Sequence, residues 1–204
     1  MKKIIALSLG FMLFGFGCQT AAPSAEPQAD INLNINAISK EPAKPMKIWN
    51  PPTVLPEAER ANQQAVIETD KGTIVFDLLS DAPLTASNFI TLAKGGYFDG
   101  LVFHRVVPGF VIQGGDPTGT GAGGPGYSFK DEPVKRAYDP GIVAMANSGP
   151  NTNGSQFFIM EPDSQPGMLA PNYTIFGKVT KGLDVVGKIQ QGDIMKKVTI
   201  KNKK

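Results

Sequence analysis

The 204-residue sequence predicts a mainly β domain of closed or sandwich-like antiparallel architecture with only two helices, preceded by about 64 residues of different character. Three observations carry this. Short runs rich in Val, Ile, Phe and Thr recur from about Ala65 onward, Gly and Pro punctuate them, and apolar residues take helical spacing in two places only.

Taken in order, Val66 to Thr69 and Thr73 to Leu79 flank Asp70-Lys71-Gly72, the turn chemistry of a hairpin, and Ile74, Phe76 and Leu78 alternate onto one face. Asp81-Ala82-Pro83 starts a helix, because a proline in the first turn lacks only an N–H that would be unpaired anyway. Ala86, Phe89, Ile90 and Ala93 recur at helical spacing until Gly95-Gly96 stops them. Strands are expected at Leu101 to Val106, Phe110 to Gln113, Ile142 to Ala146, Gln156 to Met160 and Tyr173 to Val179, and a second short helix at Leu183 to Ile189. The lysines at 196, 197, 201, 203 and 204 read as a solvated tail first and an anionic-surface contact second.

The first 17 residues, with Lys2 and Lys3 ahead of the apolar run from Ile4 to Phe16, form a secretory signal pattern too short to span a bilayer as a stable helix. The only cysteine, Cys18, follows directly. Its placement resembles a bacterial lipoprotein signal, which implies lipidation of Cys18 and membrane anchoring of an exported chain. Gln19 after it, where Asp often signals inner-membrane retention, favours the outer membrane. Seven of the 17 prolines lie between Gln19 and Gln64, so residues 18–64 read as a lipidated cysteine and Pro-rich tether, with 65–204 as the folded domain. Trp49, the only tryptophan, is expected to pack on that domain.

Composition excludes several functions. The formal charge of +2 comes from Lys2 and Lys3, so removing the signal leaves a neutral chain, which argues against a nucleic-acid partner. One Cys and one His rule out an intramolecular disulfide and a Cys- or His-cluster metal site, and no metal or cofactor is expected. Gly121 to Gly126 formally satisfies GxGxxG, but the segments around it lack the strand and helix that a dinucleotide fold needs. His104 has no visible nucleophile partner and reads as a structural hydrogen-bonding residue; Asp116 and Glu132 read as turn or surface residues.

Two segments carry chemistry: FHRVVPGFVIQGGD (Phe103 to Asp116) and GIVAMANSGPNTNGSQFFI (Gly141 to Ile159). Strand alternation puts Arg105 opposite in facing to His104, and Phe158 opposite to Phe157. A cationic fork beside aromatic rings and amide donors can hold a peptide by its backbone while burying one apolar ring. On residue types alone, a buried Arg satisfying loop carbonyls among core phenylalanines fits equally well.

These strings, with APLTASNF, GYFDG and YTIFGKV in the same order, closely resemble the cyclophilin family of peptidyl-prolyl cis-trans isomerases from about Ala65 to Ile200. The resemblance implies an eight-stranded antiparallel closed β-barrel capped by two α-helices, and an enzyme of Pro-containing polypeptides that assists the folding of exported proteins, working as a monomer. It makes Arg105 the catalytic side chain, and Phe110, Val111, Phe158 and Leu169 the wall of a proline pocket. Gln113, Ala146 and Asn147 match positions that hold substrate backbone, and Gln156 helps order the site. Val111 replaces a common Met, Met168 lies where many members have Trp, and Tyr173 lies where many have His. Tyr173 keeps a ring and a polar tip and stays a pocket residue. The missing Trp at 168 counts against tight cyclosporin binding more than against catalysis. The alternative is a tethered, non-catalytic chaperone that binds Pro-containing segments; such a binder has little need of Arg105.

Overall fold

A computed structural model describes residues 47–203. The signal, Cys18 and the tether as far as residue 46 lie outside the described residues. In chain order the elements are α1 (Glu57–Arg60), β1 (Gln63–Thr69), β2 (Gly72–Leu78), α2 (Pro83–Lys94), β3 (Arg105–Val107), β4 (Val111–Gly114), β5 (Ile142–Met145), β6 (Phe157–Met160), β7 (Ile175–Lys181), α3 (Leu183–Val186) and β8 (Lys197–Asn202).

The strands form one antiparallel sheet in the order β3-β4-β6-β5-β7-β2-β1-β8, curled into a half-barrel with α2 and α3 as caps. The two end strands do not pair with each other. In place of a closing ladder, the segments just ahead of them meet at a single bridge, Val102 to Ile194, flanked by Gly100 N–H to Met195 O at 2.8 Å and Phe103 N–H to Asp193 O at 2.9 Å. Turn-forming pairs, Asp99-Gly100 and Gly192-Asp193, keep both segments from continuing as regular strands. The fully closed barrel implied by the resemblance is therefore a curled sheet with an irregular seam.

The hairpin at Asp70-Lys71-Gly72 forms with Thr69 opposite Gly72, and Ile74, Phe76 and Leu78 all face the core. α2 begins with Pro83 as expected, yet its N-cap residue Ala82 offers no side-chain acceptor. Glu132 supplies it from a distant loop: Leu84 N–H and Thr85 N–H donate to its two carboxylate oxygens at 2.9 and 2.7 Å, and the Thr85 hydroxyl adds a third bond. A carboxylate there satisfies orphan amides and complements the helix dipole. Beneath α2 the rings of Phe76, Phe89, Phe98, Phe157 and Phe176 form the centre of the core.

Three readings from sequence change. The lysine-rich C-terminus contains an eighth strand, β8, in which Val198 is buried between Lys197 and Thr199. Three of its lysines are engaged: Lys197 pairs with Asp99 at 2.6 Å, Lys196 with Asp70 and Lys203 with Asp77. The second helix ends at Val186 and relaxes into turns through Ile189. Residues 47–62, assigned to the tether, lie against the domain, with α1 among them and Trp49 edge-on to Tyr97 as expected of a packing residue. Among the described residues, no helix is long and apolar enough to cross a membrane.

Candidate active site

Side-chain alternation sorts the sheet into two faces. Ile112, Val143, Met145, Phe157, Ile159 and Phe176 point into the main core, while Val111, Ala144, Phe158, Met160 and Ile175 form a second apolar cluster on the opposite face. A one-residue slip of β6 would exchange Phe157 for Phe158 and abolish this arrangement. The register then lines up the site: Arg105 pairs with Gln113, Gln113 with Phe158, and Phe158 with Ala144. Neighbouring strands are about 4.8 Å apart, so these four residues make one cross-strand row on the outer face.

Three of the four, Arg105, Gln113 and Phe158, open onto a cavity of about 230 Å³ lined also by Phe110, Val111, Ala146, Asn147, Leu169 and Tyr173. Nine residues singled out from sequence thus converge on one recess. Phe158 is buried and Tyr173 meets it edge-on, ring centroids 5.6 Å apart, giving the recess an aromatic wall. Arg105 is solvent-exposed at the rim and no carboxylate among the described residues pairs with it. The equally weighted reading, a buried Arg serving loop carbonyls, does not apply. Two expected residues stand outside the recess: Gln156 lies behind Gln113, and Met168 is 49% exposed and outside the lining.

Gln156 acts through a directional chain. Its Nε2 donates to Gly121 O and Gly123 O, both at 2.9 Å, which turns its Oε1 toward Gln113 to accept from Nε2 at 3.0 Å. Gln113 must then present its own Oε1 to Arg105, whose guanidinium reaches it at 3.4 Å. The chain holds the guanidinium over the recess with a neutral acceptor and leaves its charge unspent. Asn147 is tied down too, its Nδ2 donating to Asn172 O at 3.0 Å and its Oδ1 accepting from Gly149 N–H at 3.3 Å. Its side chain shapes the loop, while Ala146 is fixed by donating to Gln156 O at 3.0 Å.

Two supports are not legible as site residues. The Tyr138 hydroxyl accepts from Tyr173 N–H at 3.0 Å and donates to Tyr173 O at 2.8 Å, clamping the backbone of a pocket residue; the only signal was an aromatic isolated in the polar run before β5. Burial pushes the Tyr138 phenol up in pKa, so it stays a donor. Asp116, read as a turn or surface residue, is 1% exposed. It accepts from Thr118 N–H and hydroxyl and from Gly121 and Gly123 N–H, at 2.6 to 3.2 Å, folding the glycine-rich loop whose carbonyls receive Gln156. The GxGxxG match is this loop. His104 departs from expectation in another way: both ring nitrogens are shut off from solvent without a hydrogen-bond partner. Burial pulls its pKa below the usual imidazole value, against opposing pulls from the Asp116 charge and the nearby Gln156 amide, so the ring is neutral at pH 7.

Burial alone would raise the pKa of Asp116, but its hydrogen bonds from Thr118, Gly123 and Gly121 outweigh this and hold it at about 2, against a usual 3.8. A carboxyl depressed in the fold contributes stability that is present above about pH 4 and lost as pH falls toward 2. Asp116→Ala strands those donors, and we expect a loss of about 3 kcal/mol in denaturant unfolding together with reduced activity as the loop loosens under Gln156. In Asp116→Asn the acid-induced loss between pH 4 and 2 becomes shallower. Wild-type stability in either variant would show that the loop does not depend on this carboxylate.

Known proteins place this geometry. Residues 65–204 match the family described as cyclophilin type peptidyl-prolyl cis-trans isomerase/CLD. A peptidyl-prolyl cis-trans isomerase of Helicobacter pylori is 48% identical over 139 residues, covering 66% of this chain and 84% of the relative. Peptidyl-prolyl cis-trans isomerase B of Bacillus subtilis is 48% identical over 134 residues, 64% of this chain and 92% of the relative. The crystal structure of a cyclophilin type isomerase of Cryptosporidium parvum, solved in the presence of the dipeptide Ala-Pro, superposes with a TM-score of 0.62 at 38% identity, over 68% of this chain and 99% of that one. With the fold, the recess and the family match in agreement, the chain belongs to the cyclophilin-type peptidyl-prolyl cis-trans isomerases.

Proposed function

We propose that the recess isomerises X-Pro bonds by binding the twisted amide more tightly than either planar form, with Arg105 as the group that recognises the twist. The barrier, about 18 to 20 kcal/mol, arises from amide resonance. Twisting returns the lone pair to the proline nitrogen, and a donor aimed there stabilises the transition state selectively. Phe110, Val111, Phe158, Leu169 and Tyr173 take the proline ring and exclude water, while the backbone at Ala146 and Asn147 holds the residue before it. The observation that supports this most is the Arg105–Gln113–Gln156 chain: an exposed guanidinium, oriented by a neutral acceptor, over an apolar recess. A second cavity of about 330 Å³ shares Gln113, Ala146 and Asn147 with the first, giving the preceding substrate residues a continuous path. A binder without catalysis needs the recess but not the oriented charge, and this favours the enzyme over the chaperone reading. The test is cis-trans exchange of a short peptide with one X-Pro bond, followed by NMR. Unaided exchange takes tens to hundreds of seconds, and the protein is expected to shorten it at catalytic concentrations. No acceleration by folded protein would overturn the reading.

The same reading extends to location. The chain is an exported lipoprotein whose signal ends at residue 17, whose Cys18 carries the lipid, and whose isomerase domain works as a monomer on Pro-containing stretches of exported proteins, outer-membrane placement being favoured by Gln19. Support comes from the signal pattern and the placement of the single cysteine. Mass spectrometry of the mature N-terminus should find a lipid-modified Cys18, and Cys18→Ala should move the protein from the membrane to the soluble fraction. An unmodified cysteine, or unchanged partition of the variant, would contradict the anchor.

A further inference from the structure

The segment ahead of the domain makes a contact that the isomerase fold does not itself require. Trp49 lies against Tyr97, ring centroids 5.3 Å apart at 84°, with Lys47 Nζ 4.2 Å above the tryptophan and donating to Gly95 O at 3.4 Å. Gly95 at the end of α2 makes the seat, since a Cβ there would overlap the Trp49 ring. Farther along, Leu55 N–H donates to the Ser87 hydroxyl on α2 at 2.9 Å, so the segment is fastened at two points.

Tyr97 passes this contact inward. Its hydroxyl is 2.9 Å from the Ser155 hydroxyl, which is 2.6 Å from Gly115 O. Ser155 has one hydrogen and gives it to Gly115, so Tyr97 is the donor in the first bond. Ser155 is buried, and burial raises the Tyr97 phenol, keeping its proton. Gly115 has φ +87° and abuts Ser155 so closely that a Cβ would overlap the Ser155 carbonyl oxygen. Gly115 follows β4 two residues after Gln113, and Ser155 immediately precedes Gln156. The Ser155 hydroxyl therefore rivets together the two backbones that carry the glutamines behind Arg105.

We infer that Tyr97, held by Trp49, is a positioning residue of the isomerase site: through Ser155 it sets the spacing of Gln113 and Gln156 and so the aim of Arg105. This rests on the reading of Arg105 as the catalytic group. It also makes the segment before the family-matched region part of the working enzyme.

The experiment uses the full chain. Tyr97→Phe deletes one oxygen and keeps the ring under Trp49, so the fold is retained. Its kcat should fall about tenfold with KM within about twofold, because misaim weakens the transition state more than peptide binding. Ser155→Ala should give a similar loss, and the double variant no more than either single one, as expected of one shared linkage. Trp49→Ala should lower kcat in the same way and Trp49→Phe should restore most of it; a merely structural role would lower the melting temperature and leave kcat intact well below it. Wild-type kcat in Tyr97→Phe, or multiplying losses in the double variant, overturns the inference even if Trp49→Ala fails to fold. Arg105→Ala separates the two claims: if it is impaired while Tyr97→Phe is not, the positioning role alone fails, and if it is not impaired, the catalytic reading fails first.

Discussion

Replacing Phe89 with Ala lowers the free energy of unfolding by about 4 kcal/mol, as expected for loss of a buried aromatic ring. Phe89 sits mid-way along α2 and is 1% exposed. It stacks on Phe98 at 4.8 Å and meets Phe76, Phe157 and Phe176 at 5.4 to 5.5 Å. Those partners come from β2, β6, β7 and the segment after α2, so removing the ring opens a void that no single element can move to fill. The loss is a large share of the roughly 5 to 15 kcal/mol that holds a domain folded. Urea unfolding should show a lower midpoint at an unchanged slope, and Phe89→Leu should cost about 1 to 1.5 kcal/mol. A loss under about 1 kcal/mol for Phe89→Ala would mean that the rings do not form the load-carrying core. The same cluster bears on function, because Phe157 within it fixes which way its neighbour Phe158 must face.

What could be read from the sequence follows the range of the interactions involved. The hairpin at Asp70-Lys71-Gly72 and the start of α2 at Pro83 rest on local turn and helix chemistry, and both formed where expected. The placement of Arg105, Gln113 and Phe158 followed from alternation, since each strand must show one face to the core. β8 was hidden because an edge strand protects itself with lysines, and their charge masks the alternation of Val198 and Ile200. Prolines made residues 47–62 read as open chain, although the seat for Trp49 is a glycine 46 positions away. Tyr138, Glu132 and Asp116 gain their roles only from partners brought close by the fold, and no local pattern announces them. A histidine on a strand between Phe103 and Arg105 reads as a structural hydrogen-bonding residue, whereas the fold shuts both ring nitrogens of His104 away without a partner.

Arg105→Ala should lower kcat/KM for a Pro-containing peptide by at least about tenfold, and by up to 10² to 10³ if the guanidinium contributes as much as a preorganised donor in an oxyanion site. The fold should survive, because Arg105 is exposed and its only side-chain hydrogen bond among the described residues is the 3.4 Å contact to Gln113. Arg105→Lys should recover only part of the rate, since an ammonium lacks the planar fork that Gln113 orients. The apolar recess remains in all three proteins, so affinity for the ground-state peptide should change little. The most direct test is to measure, on one folded Arg105→Ala preparation, both kcat/KM and the Kd of a Pro-containing peptide. Selective stabilisation of the twisted amide predicts a rate loss of tenfold or more with Kd within about threefold. An unchanged rate, or a rate that falls only in step with affinity, would contradict it.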